Sequence, residues 1–528
     1  MTFLKVKERK HHKVVFKKRV NASPSLPTSS ESFQQLPYGE KKTRQPGIDT
    51  GDHILAVSRF ENLASGTTDS DNMSTMTAHA NRIPDIFTQL PLCRDLLMTE
   101  SSQLQDETIQ ECLPFMSGLN PDAEYNTHGV PRLGRERHIA FLHKSLGRLP
   151  AGYVAADASR PWMFYWALNG LATMGEDISG YRDRLINTVR PIQNNAGGFG
   201  GGNGQMSHLA PTYAILLSLA LVGGTEAFDL IDRKSMWKWL CALKQPDGGF
   251  QMSVGGEEDV RGAYIATVII TLLDIPFELH PDSPAWSREG ATLLTGLPEW
   301  ISRCQSFEGG MSARPDVEAH GAYAFCALAC LSILGSPHEI IPNYLDVPLL
   351  ISWLSARQYA PDSGFSGRTN KLVDGCYSHW VGGCWPLLEA SLNGTKSSTE
   401  SLSSITGDGK LYSREGLIRY ILCCCQDLSK RGGLRDKPSH SSDSYHTCYV
   451  LAGFSSTQNN WTFNHQGSPQ LASGSSLLSA FQWTSEPIIE DSQIFDESDR
   501  IGTLHPIFVI PEGAAEKMRA HFTNRGGF

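Results

Sequence analysis

The chain has 528 residues, 40% apolar and 19% charged, with 12 cysteines and a net charge of −9. That length calls for two to four domains or one large repetitive domain, with enough apolar residues for a sizeable core. The charge is uneven: residues 1–20 carry +7 and the remainder −16, and an acidic body argues against a nucleic-acid partner.

Residues 1–80 are rich in Ser, Thr, Asn, Lys and Pro without a sustained period, which predicts a disordered tail. Its basic opening has no apolar stretch behind it, so no signal peptide is read there. The folded domain is expected over residues 81–528. Its longest apolar runs, such as AILLSLALVGG and IATVIITLLDI, fall short of the roughly 20 residues that span a bilayer. Most cysteines lie inside apolar helical text (CALAC, ILCCCQ). That predicts buried thiols in a reducing, cytoplasmic setting rather than a disulfide framework.

A first helical pair is expected around residues 138–175. A repeated turn then follows: QNNAGGF from Gln193, QPDGGF from Gln245, QSFEGGM from Gln305, QYAPDSGF from Gln358 and QDLSKRGGL from Gln426, at gaps of 52, 60, 53 and 68 residues. Helical text precedes these turns (MWKWLCALK, LPEWISRC, LLISWLSAR, GLIRYILCC), and a second apolar helix follows each. Glycine after a helix is a stop signal, and strand signal is nearly absent. The prediction is an all-α fold of about six helix hairpins, stacked as an open solenoid or closed into an α/α barrel. Ser-rich stretches at 395–408 and 455–485 are expected as inserted loops.

The second helices open HLAPTY, DVRGAY, EAHGAY, GCYSHW and SYHTCY. An aromatic recurs at Tyr213, Tyr264, Tyr323, Trp380 and Tyr449. Three residues earlier, on the same helical face, stand Ala210, Arg261, His320, Tyr377 and His446. A structural core would carry Leu and Val there. Polar groups at the mouth of an aromatic-lined ring predict a binding site for an anion with an apolar body.

Asp374 is expected one residue before the start of the fourth such helix and Cys376 one residue inside it, and His446 opens the next. Oxygen, sulfur and nitrogen donors suit Zn²⁺ with a fourth position left for substrate. The spacing alone leaves a plainer alternative open, a chance D-x-C beside a capping histidine. His379 is a rival ligand, but it lies outside the ring column and is predicted to face outward. Arg368 and Lys371 are either a solvated loop or part of a diphosphate clamp.

Six blocks, KLVDGCYSHW, DSYHTCYVLAG, EAHGAYAFC, GGEEDVRGAY, GGFGGGNGQMSHLAPTY and ASRPWMFYW, lie between about residues 130 and 454, and the pattern resumes in TLHPIFVIPEGAAEKM. Together they resemble the β subunits of protein prenyltransferases, most nearly the farnesyl type. The resemblance implies an α/α barrel working as a heterodimer with an α subunit. It implies transfer of farnesyl from farnesyl diphosphate to the cysteine of C-terminal C-a-a-X motifs, such as those of small GTPases, through a zinc-bound thiolate. It places zinc ligands at Asp374, Cys376 and His446. Diphosphate residues fall at His320, Arg368, Lys371 and Tyr377. Isoprenoid-lining residues fall at Trp162, Arg261, Tyr264, Tyr323, Cys326 and Trp380, with Tyr213 nearby. Peptide contacts fall at Trp162, Trp166 and Tyr445, and a Mg²⁺ site at Asp436.

The chain departs from the family in its long tail, its Ser-rich loops and His379, where the farnesyl enzymes often have Phe. A type I geranylgeranyl subunit usually has a small residue where Trp162 stands and Lys where Asp436 stands. A terpene cyclase needs a D-x-D-D type motif that is not found here. A non-catalytic helical scaffold is the remaining alternative, and the polar column speaks against it.

Overall fold

The computed structural model describes residues 83–91, 96–288, 290–394, 411–464, 477–489, 493–525 and 528, within one compact unit running Thr75–Phe528. The expected tail at 1–80 and loop at 395–408 lie outside the described residues.

Six helix pairs form the body. They are α1 (Arg135–Ser145) with α2 (Arg160–Thr173), α3 (Arg182–Val189) with α4 (Leu209–Val222), and α5 (Arg233–Leu243) with α6 (Val260–Leu273). The others are α7 (Leu297–Ser302) with α8 (Gly321–Leu334), α9 (Val347–Ser355) with α10 (Tyr377–Trp380) and α11 (Cys384–Asn393), and α12 (Arg414–Arg419) with α13 (Ser444–Gln458). The second member of each pair is apolar on nearly every side. In α4, α6 and α8 almost every residue is buried, so these helices have no solvent face and must lie inside. The first members are one-sided: α5 buries Met236, Trp239, Leu240 and Leu243, a spacing that puts one stripe inward.

The inner helices close a ring. α2 packs on α4, α4 on α6, and α6 on α8; α13 packs both on α10 and back on α2. The solenoid alternative is thereby excluded, and the chain forms the α/α barrel.

The repeated Gln explains how the pairs are locked. The Gln305 side-chain amide donates to the Asp346 carbonyl at 3.0 Å and accepts the Asp346 N–H at 2.8 Å. Asp346 is the cap of the next outer helix, α9. Gln358 makes the same pair of bonds to Ser413, the cap of α12. Gln426 reaches around the ring instead. Its Oε1 accepts from Gly134 N at 2.9 Å, and its Nε2 donates to the Arg132 carbonyl at 3.2 Å, so the last turn clamps the start of the first helix. His138 Nε2 lies 3.0 Å from the same oxygen. Its Nδ1 accepts the Gly433 N–H, so the proton is on Nε2 and is donated to Gln426. Gln426→Ala is therefore expected to orphan the buried His138 ring nitrogen, to open the part-buried bonds to Gly134 and Arg132, and to destabilise the barrel by roughly 1–3 kcal/mol. An unchanged urea midpoint would show that ring closure does not depend on it.

The glycines of these turns are needed where chains touch. Gly309 has φ +98°, and a Cβ there would run into the Leu349 carbonyl of α9. No other residue type accepts both the dihedral and the contact.

Two expectations need correction. The segment 455–485 read as an inserted loop carries strand: β1 (Asn459–Phe463) lies in it and pairs antiparallel with β2 (Trp483–Pro487), which begins in it. Residues 455–458 finish α13. The alternating burial of Asn459, Trp461 and Phe463 makes a half-buried strand, which packs Phe463 on Trp483 at 5.4 Å. The neighbouring Ser and Gly hid that alternation. Second, Cys376 stands immediately before α10, not one residue inside it. As expected, all the described cysteines are free and buried. Among the described residues no helix is long and apolar enough to cross a membrane.

Candidate functional site

The D-G-C segment is brought to the α13 end by backbone contacts. Gly375 N donates to the Asp436 carbonyl at 2.9 Å. A Cβ on Gly375 would meet the Arg435 carbonyl at 2.7 Å and Cys425 Sγ at 2.9 Å, so only glycine allows this approach. Asp374, Cys376 and His446 then converge, their ligand atoms all within 4.8 Å of one another. His446 Nδ1 lies 2.7 Å from Asp443 Oδ2, which fixes its proton there and turns the Nε2 lone pair inward, 3.3 Å from Asp374 Oδ1. Two acceptors at that distance need a cation between them, a proton or a metal ion. Cys376 is 3% exposed, and burial followed by the Asp374 carboxylate pushes its thiol pKa up. Burial also acts to raise Asp374, yet the His446 hydrogen bond and charge hold it well below the ordinary carboxylate range. One O, one S and one N donor, with the imidazole oriented by an outer carboxylate, is the donor set and support of a zinc site. The residues fit the metal that the sequence implies.

Next to this cluster, Tyr377 OH lies 3.1 Å from His320 Nε2. His320 caps α8 by accepting the Ala322 N–H on Nδ1 at 3.0 Å, so Nε2 keeps the proton and presents a donor. Burial lowers the His320 pKa to about 3, which keeps the ring neutral. Arg368 is paired with Glu318 at 2.8 Å. Lys371 is exposed, with no side-chain hydrogen bond or ion pair among the described residues. Arg261 forks onto Asp259, the cap of α6, and stands 3.6 Å from Glu257.

Below the polar rim the wall is aromatic. Trp162 stacks on Trp166 at 5.7 Å and lies 5.8 Å from Tyr213. The Tyr213 and Tyr264 hydroxyls are 3.0 Å apart, and Tyr264 donates to the Ile507 carbonyl. Trp166 meets Tyr445 edge-on at 5.3 Å, and Trp380 Nε1 donates to Tyr445 OH at 3.0 Å. The Tyr323 ring lies tilted against His320 at 5.3 Å. Cys326 is buried on α8, its thiol raised first by burial and then by Asp259. Asp436 stands at the edge of the cluster. It is ion-paired with Lys437 at 2.6 Å, with His440 Nε2 at 3.8 Å, and its pKa is raised by burial and then by Asp374.

The structure brings Asp374, Cys376, His446, Tyr377, His320, Tyr445 and Trp380 together beside the aromatic run of Trp162, Trp166, Tyr213 and Tyr264, and gives Lys371 no hydrogen bond or ion pair to any of them. It corrects one expectation: His379 does not face outward. It is 4% exposed, stacked on Tyr449 at 5.4 Å and edge-on to Phe325 at 4.5 Å. α10 is a single turn that breaks at Val381, so the helical column does not continue, and His379 fills the seam between α8 and α13. Sequence reasoning also passed over Asp443, Asp259, Tyr165 and Phe325. Asp443 and Asp259 stand at helix-cap positions, and a cap two or three residues before a polar column residue was the available signal.

Comparison with known proteins bears on the family and the fold. The family described as "Prenyltransferase alpha-alpha toroid domain" matches residues 133–510. The protein farnesyltransferase subunit beta of Pyricularia oryzae is 54% identical over 90% of each chain. That of Schizosaccharomyces pombe is 36% identical over 81% of this chain and 98% of its own. A chain of the Candida albicans protein geranylgeranyltransferase-I structure, complexed with GGPP, is 22% identical with a TM-score of 0.53, covering 74% of this chain and all of its own; it supports the fold. With a toroid match across most of its length and this degree of identity to curated relatives, the chain belongs to the protein farnesyltransferase β subunits of the prenyltransferase family.

Proposed function

We propose that this chain, with an α subunit, transfers farnesyl from farnesyl diphosphate to the cysteine thiol of proteins ending in C-a-a-X. The observation that carries the reading is the Asp374–Cys376–His446 cluster next to a run of buried aromatic side chains and beside neutral His320 and Tyr377.

Asp374, Cys376 and His446 Nε2 would hold a zinc ion, with Asp443 fixing the imidazole. When bound, zinc supplies a Lewis acid that keeps the substrate thiol ionised near neutral pH. The aromatic wall takes the isoprenoid chain and excludes water. Trp162, Trp166 and Tyr445 face the incoming peptide. In the reaction an S–C1 bond forms as the C1–O bond of the donor breaks, and the electron pair leaves on diphosphate. His320 Nε2–H and Tyr377 O–H donate to that charge, and Lys371 and Arg368 neutralise it. Arg368 must exchange Glu318 for the leaving group, an exposed pair that costs little to open. Arg261, anchored by Asp259, would stiffen the rim near the chain.

Asp436 would take a Mg²⁺ ion through its carboxylate oxygens. Its pairing with Lys437 means that the ion competes with an ammonium. Asp436→Ala is then expected to shift magnesium stimulation to higher concentration, and Asp436→Lys to abolish most of it while keeping appreciable metal-free activity. Identical magnesium curves for parent and both variants would leave Asp436 a turn residue only.

The geranylgeranyl reading finds less support, because the large Trp162 indole occupies the cavity wall where that type needs depth. Co-purification with an α subunit and comparison of the two diphosphates as donors tests the proposal. Geranylgeranyl transfer in preference to farnesyl would overturn it.

A further inference from the structure

Behind the aromatic wall, two buried histidines border one small cavity. It measures about 20 Å³ and is lined by His379, His505, Ser456, Gly383, Trp461 and Leu504, among others. His505 Nδ1 accepts the N–H groups of Ile507 at 3.1 Å and Phe508 at 3.3 Å. Its proton is therefore on Nε2, and that Nε2 has no hydrogen-bond partner among the described residues. The Ala480 carbonyl lies near it without closing a bond. His379 Nε2 is also buried and unpartnered. Two histidines that line one cavity and each bury an unpartnered ring nitrogen are rare, because each such group costs about 1–3 kcal/mol if left unpaired.

What fills the cavity follows from the tautomer. A metal ion needs a lone pair on each nitrogen, and the His505 Nε2 pair is taken by its proton. An apolar filler satisfies neither ring. A cavity of roughly 10–15 Å³ or more suffices for one water, provided that it has 2–4 polar partners. Ser456 supplies a third partner: its hydroxyl already donates to the Gly453 carbonyl at 2.8 Å and keeps lone pairs to accept from water. A water accepting from His505 Nε2–H and donating to Ser456 Oγ bonds His379 Nε2 in either tautomer of that ring.

We propose that one ordered water links His379 Nε2, His505 Nε2–H and Ser456 Oγ, and makes His379 a positioning residue for the donor cavity. The ring it holds is stacked on Tyr449 and lies 4.8 Å from Trp380, whose indole in turn fixes Tyr445. Loosening His379 loosens that whole side of the wall, whereas the metal ligands stay in place. The water does not depend on the farnesyl-transfer reading; the kinetic consequence does.

The test uses the full chain with its α subunit as parent, His379→Gln and His379→Phe. High-resolution crystal structures are expected to show the water at hydrogen-bond distance from both rings in the parent. It should persist in the Gln variant, whose amide also bonds water, and vanish in the Phe variant. The KM for farnesyl diphosphate should rise about 10-fold in His379→Phe, the loss of one buried hydrogen-bonded link, with kcat little changed, and His379→Gln should restore it. A dry cavity in the parent, or His505 Nε2–H closed onto Ala480, overturns the water. A bound water with unchanged KM in His379→Phe overturns the positioning role. A parent that holds the water but binds no farnesyl diphosphate sinks the functional reading, and the positioning role with it, while the water stands.

Discussion

Cys376→Ala is expected to strip bound zinc from the complex and to lower turnover by orders of magnitude, while farnesyl diphosphate still binds. Loss of an outer partner of a metal ligand already costs about 10–100-fold in metal affinity, and loss of a ligand itself exceeds that. Most of the donor site is built from other elements, α2, α4, α6 and α8, and Tyr377 and Trp380 of α10 keep their own bonds to His320 and Tyr445, so its contacts survive the change. The folded state should survive as well. A methyl replaces a buried thiol that makes no side-chain bond essential to the ring, and Gly375 still holds the segment against Asp436. Metal analysis of the purified variant separates the outcomes: full zinc content would remove Cys376 from the ligand set, whatever the activity.

Trp162→Thr is the second large effect. The indole is 5% exposed and fills the wall between Trp166, Tyr165 and Tyr213. Removing most of its volume opens room for one further isoprene unit, five carbons. At about 0.8 kcal/mol per buried CH₂, that unit is worth a few kcal/mol, so donor preference should move toward geranylgeranyl diphosphate by about 10-fold or more. Truncating a buried Trp also destabilises by about 3–5 kcal/mol. The readout is therefore the ratio of kcat/KM for the two donors in one preparation, which the folded fraction does not affect. An unchanged ratio would mean that chain length is set elsewhere in the wall.

Much of this was legible beforehand because repetition amplifies weak signals. One Gln before a Gly turn means little, but five at similar spacing named the hairpins, and aligning them exposed the column of Arg261, His320, Tyr377 and His446. Spacing could not say why the Gln recurs. At Gln193, Gln305, Gln358 and Gln426 its amide reaches the backbone of another repeat, a long-range contact that leaves no local pattern, whereas Gln245 bonds Leu243 of its own turn. His379 was misjudged for a related reason: helical periodicity was extended through a segment that is helical for one turn only. The hairpin of β1 and β2 was hidden because five residues of alternation are brief beside the Ser-rich text around them. Asp443 went unread because a capping aspartate and an aspartate that orients a histidine ring look identical in sequence, and here one residue both caps α13 and fixes the His446 imidazole.

The most direct test of the account is a donor competition. The chain co-purified with an α subunit is given equal farnesyl and geranylgeranyl diphosphate and a C-a-a-X peptide, with and without zinc, and the adduct on the peptide cysteine is read by mass spectrometry. The account predicts a farnesyl thioether that forms only in the zinc-loaded complex; a predominantly geranylgeranyl adduct, or equal farnesylation after zinc removal, would contradict it.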